Sequence, residues 1–429
     1  MQTFEEIINY LYARLPMFTR DGASAFKTDI GNISRLCAAL GFPHDRFKSI
    51  HVAGTNGKGS SSHSLASILS SAGFKTGLYT SPHLVDFRER VRIDGAMIPK
   101  DYVVDFVNQH LSLIESIKPS FFEVTVALAF DYFARENVDF ALIEVGLGGR
   151  LDSTNIITPT LSLITNIGMD HMNMLGDTVQ EIAYEKAGII KPGVPVVVSE
   201  RDERVASVFQ QRAKDLDAPL RFASDELRVH TFQRTEKGLA VEIEDNVGHH
   251  AQWVMQLGGL YQLKNLIGVL TAVDQLRKQG IDISDDHIRD GLAHVVENTG
   301  IHGRWQKIGQ HPLIICDTGH NEDGIREVVN NINATSYATL HVVIGAMRDK
   351  DLSHMLPQLP KDAIYYFCSP EISRALPAKE LMEHAAAYDL VGCFYDSVHE
   401  AFHTAKIKAH KNDMIFVGGS NFVVAEVLT

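Results

Sequence analysis

The chain has 429 residues, 45% hydrophobic and 22% charged, and a formal net charge of −13. Its length exceeds one ordinary core and predicts two domains, with the balance of a globular protein and no long disordered stretch. The acidic charge excludes a surface built for a nucleic-acid backbone but leaves room for a local basic pocket that holds a small anion.

The N-terminal stretch MQTFEEIINYLYARLP carries Glu5 and Glu6 among alternating apolar and polar residues, so it lacks the basic region and unbroken apolar core of a signal peptide. Phe4, Ile7, Ile8, Leu11 and Leu15 recur at helical spacing, and so do Ile33, Leu36, Cys37 and Leu40 before Gly41 and Pro43. The protein therefore opens with two helices. A β-branched strand over 49–53 meets a glycine-rich loop, followed by a small-residue helix over 59–71 and a second strand over 75–80. Further units follow: a helix over 122–136, a strand over 140–145 ending in Gly146-Leu147-Gly148-Gly149, and a strand over 160–165. This alternation predicts a mostly parallel sheet covered by helices on both faces. Thr178 with Glu181 fits a capping box, and Gly188 with Pro192 fits a stop, so 179–187 reads as a short helix with Lys186 in its last turn. The segment 202–256 alternates polar and apolar residues and is expected to form antiparallel ribbons at the edge of the first domain.

Asn298, Gly300 and Gly303 interrupt the next helical pattern and mark a boundary, giving domains of 1–298 and 299–429. Strands over 313–316, 340–344, 363–368 and 414–417 then alternate with helices in a smaller α/β domain. Cys37, Cys316, Cys368 and Cys393 show no C-x-x-C spacing and read as buried thiols in a reducing compartment. No apolar run reaches the ~20 residues that span a bilayer. A cytoplasmic protein with neither membrane nor nucleic-acid partners is expected.

The stretch Gly54-Thr55-Asn56-Gly57-Lys58-Gly59-Ser60 lies between strand and helix. Its glycines let successive N–H groups turn onto an anion, and the following helix adds its positive end, which suits the phosphates of ATP. Lys58 would face the β/γ-phosphates, and Ser60 offers a hydroxyl to magnesium. The common nucleotide loop places four residues before Gly-Lys and a Ser or Thr directly after it; this one is shorter and inserts Gly59.

The short form resembles the phosphate loop of the Mur ligase superfamily of ATP-dependent amide ligases. Thr80-Ser81-Pro82-His83-Leu84, Phe121-Phe122-Glu123-Val124-Thr125, the run from Glu144 to Asn155, and Glu185-Lys186-Ala187-Gly188-Ile189 follow in order. So do Leu257-Gly258 through Asn265, Gly303-Arg304, Asp317-Thr318-Gly319-His320-Asn321 and Asp349-Lys350-Asp351. Over nearly its whole length the chain resembles the folylpolyglutamate synthase and dihydrofolate synthase family.

That resemblance implies a phosphate-loop ATPase domain with a mostly parallel sheet and a smaller Rossmann-like α/β domain, with the active site in the cleft between them. It implies a monomer that takes ATP, L-glutamate and a folate or dihydropteroate, and that uses two magnesium ions. Ser60 would ligate one ion, with Glu144, His171 and a carbamylated Lys186 completing the metal set. Asn265, Arg304 and Asp317 would meet the nucleotide, Arg304 as charge develops during transfer, while Ser81, His83, Phe122, Glu123, Asp152 and His320 would lie on the folate and glutamate side. The residues alone leave other readings open. Glu144 reads equally as a strand-edge residue and Lys186 as a cation at the negative end of its helix. Asp317 and His320 read as a helix cap and a solvated imidazole, and the aromatic residues as core. Two other functions fit the loop: a peptidoglycan-precursor ligase, against which SPHL and FFEVT argue, and a nucleotide-hydrolysing switch or motor, which would carry an Asp where Glu144 stands.

Overall fold

The computed structural model describes residues 1–17, 20, 29–348 and 350–429; Asp349 lies outside them. The chain forms two compact units, one comprising Met1–Gln256 with Gln262–Gly300, the other Leu257–Tyr261 with Ile301–Thr429.

The first unit is built on strands β1 (Lys48–Ala53), β2 (Thr76–Tyr79), β3 (Val91–Ile93), β4 (Ala96–Met97), β5 (Phe140–Glu144), β6 (Leu161–Ile164), β7 (Val196–Val198) and β8 (Leu220–Phe222). They lie in the order β4-β3-β2-β5-β1-β6-β7-β8. All pairings from β2 to β8 are parallel, while β3 and β4 add an antiparallel edge. The central strands β2, β5 and β6 are buried on both faces, so none of them alternates between buried and exposed residues, and Thr76 and Ser162 are buried along with the apolar side chains. Their helices start where the sequence places caps. Thr3, Ser120 and Thr178 each accept from the backbone of a Glu three residues on and receive that Glu in return, opening Phe4–Arg14, Phe121–Arg135 and Val179–Ala187. Ile7, Leu11, Ile33 and Leu36 from the two opening helices join Phe130 and Phe133 in one core.

The segment 202–256 departs from the expected ribbons. Its first half forms the helix Ala206–Asp215, then β8, which extends the parallel sheet, and the short helix Ala223–Glu226. Ala206, Phe209 and Ala213 supply a buried helical stripe that the surrounding polar residues hide. Only β9 (Leu227–Thr235), β10 (Gly238–Asp245) and β11 (His250–Met255) form an antiparallel sheet.

The second unit carries β12 (Gln306–Gln310), β13 (Leu313–Cys316), β14 (Leu340–Ile344), β15 (Ala363–Phe367), β16 (Gly392–Phe394) and β17 (Met414–Gly418) in the order β12-β13-β17-β14-β15-β16. All pairings except β12 with β13 are parallel. Cys37, Cys316 and Cys368 are buried as expected, but Cys393 is exposed, because β16 is the edge strand and covers nothing beyond itself. Among the described residues no helix is long and apolar enough to cross a membrane.

Candidate active site

Four parallel strands end side by side, and each delivers expected site residues from its C-terminal end, where open parallel sheets keep their ligands. β1 runs into Gly54, β2 into Ser81, β5 ends on Glu144, and β6 runs into the segment that reaches His171. The loop after β1 turns through two glycines at positive φ, Gly54 at 149° and Gly57 at 86°. A Cβ on Gly54 would stand 1.9 Å from Thr165 Oγ1, and one on Gly57 would stand 2.3 Å from Asn265 Oδ1, so neither position accepts a side chain.

The loop is braced from β6. Thr55 N donates to Asn166 O at 2.9 Å and Asn56 N to Asn166 Oδ1 at 2.8 Å; Thr165 Oγ1 donates to Asn56 O at 2.5 Å. Thr55 Oγ1 both donates to Gly168 O and accepts from Gly168 N at 3.0 Å. Sequence reasoning passed over Thr165, Asn166 and Gly168; their only signal is a polar Thr-Asn pair directly after an apolar strand.

Lys58 and Lys186 converge on one carbonyl. Lys58 Nζ donates to Gly54 O and Thr55 O at 3.0 Å each, and Lys186 Nζ donates to the same Gly54 O at 2.9 Å. Lys186 is 3% exposed. Burial above all, and then the neighbouring Lys58 charge, push its ammonium down from 10.5 to about 7. The helix that presents it is bolted to the glycine-rich run after β5. Arg150 N donates to Glu185 O at 2.8 Å, the Arg150 guanidinium holds Glu185 Oε1 at 2.8 Å, and Asn155 Nδ2 donates to Gly188 O at 3.1 Å. A Cβ on Gly149 would meet Glu185 O at 2.8 Å, which explains the glycine. Asp152 is buried, accepts from Leu147 N and Thr154 N at 2.9 Å, and has its carboxyl pushed up by burial. In this structure it therefore shapes the loop beneath Lys186.

Ser60 Oγ accepts from Gln262 Nε2 at 3.0 Å, and Gln262 Oε1 accepts from Asn265 Nδ2 at 2.7 Å. One turn of the helix Gln262–Lys278 thus ties the Ser60 hydroxyl to Asn265 and, through the close approach at Gly57, to the loop. Gln262 lies inside the Leu257–Asn265 run, but the sequence assigned it no role. Glu144 Oε2 accepts from Ser81 N at 3.1 Å. His171 adopts a left-handed conformation with φ 52°, donates its backbone N–H to Asp170 Oδ1 at 2.9 Å, and keeps its ring 3.8 Å from that carboxylate.

His83 Nδ1 accepts from Arg90 Nε at 2.7 Å, and its Nε2 lies 3.3 Å from the Tyr12 hydroxyl. Burial, and then the Arg90 charge, hold the ring neutral, pushed down to about 3. Arg90 also sits over the Phe121 ring at 5.3 Å. Phe122 packs on the chain beside Gly146, whose Cβ would come within 2.4 Å of its ring. Glu123 Oε2 accepts from Ser120 N at 2.6 Å, so it closes the capping box of its helix, with Asn32 Nδ2 at 3.4 Å.

In the second unit Asp317 follows β13 and is buried. Its carboxylate accepts from Tyr261 Oη at 2.6 Å, Trp305 N at 2.7 Å and Gly319 N at 2.8 Å, while burial pushes its carboxyl up. Arg304 donates to Gly303 O at 3.2 Å and to the Thr318 hydroxyl. His320 Nδ1 lies 3.0 Å from Thr318 O. Neither Asp317 nor His320 caps a helix; Asn321 does, for Glu322–Asn333.

Residues 52–273 match the Mur ligase middle domain, and residues 303–421 match the Mur ligase glutamate ligase domain. The chain is 30% identical to a dihydrofolate synthase/folylpolyglutamate synthase of Bacillus subtilis (strain 168), over 99% of this chain and 98% of that one. It superimposes on E. coli FolC in complex with DHPP and ADP with a TM-score of 0.86 and 30% identity, covering 100% of this chain and 97% of that one. A bifunctional folylpolyglutamate synthase/dihydrofolate synthase with Mn, AMPPNP and L-glutamate bound gives 0.84 and 28%, covering 100% and 98%. The peptidoglycan and simple nucleotide-hydrolase readings give way to these matches. The chain belongs to the folylpolyglutamate synthase/dihydrofolate synthase family of Mur ligases, which are ATP-dependent enzymes that form carbon–nitrogen bonds.

Proposed function

We infer that this chain joins L-glutamate to a folate carboxylate through an acyl phosphate, and that it accepts both dihydropteroate and reduced folates that already carry glutamate. The observation that carries the reading is the convergence of Lys58 and Lys186 on Gly54 O, with Ser60 in the first turn of the helix Lys58–Ser71 and Glu144 at the end of β5. Support also comes from relatives whose structures hold ADP with DHPP, or AMPPNP with Mn and L-glutamate.

The chemistry follows from what a carboxylate lacks. Its negative charge makes it too poor an electrophile for an amine, so the γ-phosphoryl group passes from ATP to a carboxylate oxygen, leaving ADP. The amino group of glutamate attacks the resulting carbonyl carbon, the carbon–oxygen bond to phosphate breaks, and an amide, inorganic phosphate and a proton result. The protein's part is positioning and charge stabilisation. The amides of Thr55 and Asn56 are engaged by Asn166, so the phosphate donors come from the head of the helix Lys58–Ser71, whose first N–H groups have no intrahelical partner. Gly54, Gly57 and Gly59 let the chain pass close to the phosphates, Lys58 faces the β/γ-phosphates, and Asn265 contacts the nucleotide.

The donor set suits a hard divalent cation: Ser60 and Glu144 offer oxygens, and His171 a ring nitrogen. Bound magnesium supplies charge neutralisation on the phosphates. Lys186 fits only after modification, since an ammonium has no acceptor. Its amine, held near pH 7 by burial, is partly neutral and able to add to CO2 with loss of a proton, giving an anionic carbamate oxygen for a second ion. Arg304 stabilises charge during phosphoryl transfer, while Asp317 and His320 orient nucleotide and glutamate. Ser81, His83 and Phe122 bound the folate side, with Glu123 and Asp152 holding the backbone that carries them and Lys186.

Phosphate release with ATP, magnesium and L-glutamate tests the reading, with dihydropteroate, a tetrahydrofolate or neither added. Release should require a pteridine acceptor and occur with both. Equal release without an acceptor would discard the ligase, and release with one alone would remove the dual specificity.

A further inference from the structure

Outside this site, the solvent face of the antiparallel sheet gathers two imidazoles and two carboxylates. Leu239, Val241 and Ile243 of β10 point inward, so Glu242 and Glu244 alternate to the outside, where His250 of β11 pairs directly with Glu244. On β9 the register shifts opposite Glu242 and Ile243, with Thr231 paired to Glu242 and Val229 to Ile243. His230 is the extra residue of this bulge. A bulge sets two residues against one and re-aims the side chain at that point. The His230 and His250 rings consequently meet edge to face at 4.7 Å. His250 Nδ1 lies 3.3 Å from Glu242 Oε1, and His230 Nδ1 lies 3.3 Å from Glu244 Oε2.

We propose that His230, His250 and Glu242 form a binding site for a divalent transition-metal cation of the zinc class, clamping β9 and β11 across β10. One ligand atom from each of the three lies within 4.8 Å of the others. A tetrahedral shell with bonds near 2.0–2.1 Å sets ligand atoms about 3.4 Å apart, a contraction that half-exposed side chains make by rotation. Two imidazoles with one carboxylate favour zinc, cobalt or copper over magnesium and calcium, which prefer all-oxygen shells. The second carboxylate is already engaged: Arg228 grips Glu244 with bonds of 3.0 and 2.7 Å. Arg228 and Glu244 thus offset one another, leaving the Glu242 charge to neutralise part of the cation's own. The Thr231 hydroxyl donates to Glu242 Oε2 at 3.1 Å and orients that carboxylate, the outer support that metal ligands normally have. None of these residues belongs to the proposed ligase machinery.

The test is a cobalt(II) titration of the full chain in excess magnesium and ADP, read by visible absorption and by thermal melting; any cobalt entering the catalytic positions is common to the parent and the variants, so the difference between them reports the sheet site. The intact chain should bind one cobalt with the strong visible bands of a four-coordinate site, and zinc should displace it and raise Tm. His230→Ala and His250→Ala should each weaken binding by at least ~10-fold and abolish the Tm rise, with ligase turnover kept. Glu242→Gln, which preserves shape, should do the same. Equal cobalt binding in the parent and the histidine variants, or none in the parent, would overturn the proposal.

Discussion

Lys186→Met should lower turnover by at least ~100-fold while leaving Tm equal to or above the parent's. The two outcomes separate because Lys186, as the unmodified amine, is costly to the fold. Its amine is buried beside Lys58, and an unbranched apolar chain of similar length fills the same space without the desolvation or the repulsion. Gly54 O keeps its bond from Lys58. The pH dependence of stability follows the same logic. The folded amine titrates near 7 and an unperturbed lysine near 10.5, so the unfolded chain binds more protons between those values. The group's penalty is therefore full below pH 7 and is relieved as pH rises through that window. Removing Lys186 should flatten this part of the curve. Turnover close to the parent's would take Lys186 out of the reaction, and a large fall in Tm would mean that activity was lost through unfolding. In Lys186→Ala, added formate or acetate should restore part of the turnover if an anionic oxygen is what the position supplies; no response would count against the carbamate.

Lys58→Ala should reduce kcat/KM for ATP by at least ~100-fold, measured by steady-state phosphate release. Lys58 tethers the loop through Gly54 O and Thr55 O in the structure, and it is half-buried, so its loss removes a compact positive charge rather than a packed side chain. The loop itself should persist, because Asn166, Thr165 and Gly168 hold it independently. Lys58→Arg should not restore the rate, since a planar guanidinium cannot take the place of a compact ammonium against the same carbonyls. A variant with near-normal kcat/KM would show that the helix head alone carries the phosphates.

Much of the first unit could be read from sequence because local signals agree there. Short β-branched or apolar-rich stretches mark β1, β5 and β6, and the capping box at Thr178 together with Gly188 marks the two ends of the helix Val179–Ala187. What the chain hides is tertiary. Asn166 and Gln262 are ordinary polar residues until the fold brings them against Asn56 and Ser60, 110 and 202 positions away. The helix Ala206–Asp215 was missed because its buried stripe is two alanines and one phenylalanine among charged residues. Leu257–Tyr261 joins the second unit ahead of the main crossing, where Tyr261 Oη reaches Asp317, and no composition shift announces it. Cys393 was misread because burial depends on whether a strand is central or at an edge, which strand content alone leaves open. The expected site positions in the glycine loop and at neighbouring strand ends have visible local signals, whereas the cap that Glu123, expected on the substrate side, closes for its own helix was not read from the sequence.

An acyl phosphate transfers one carboxylate oxygen to the released phosphate, and that transfer can be measured. A folate acceptor labelled with 18O in its reacting carboxylate is turned over with ATP, magnesium and L-glutamate, and the released phosphate is analysed by mass spectrometry. Each phosphate formed should carry one 18O atom, left there when the carbon–oxygen bond breaks. Unlabelled phosphate, with both labelled oxygens unaccounted for in it, would contradict the acyl phosphate.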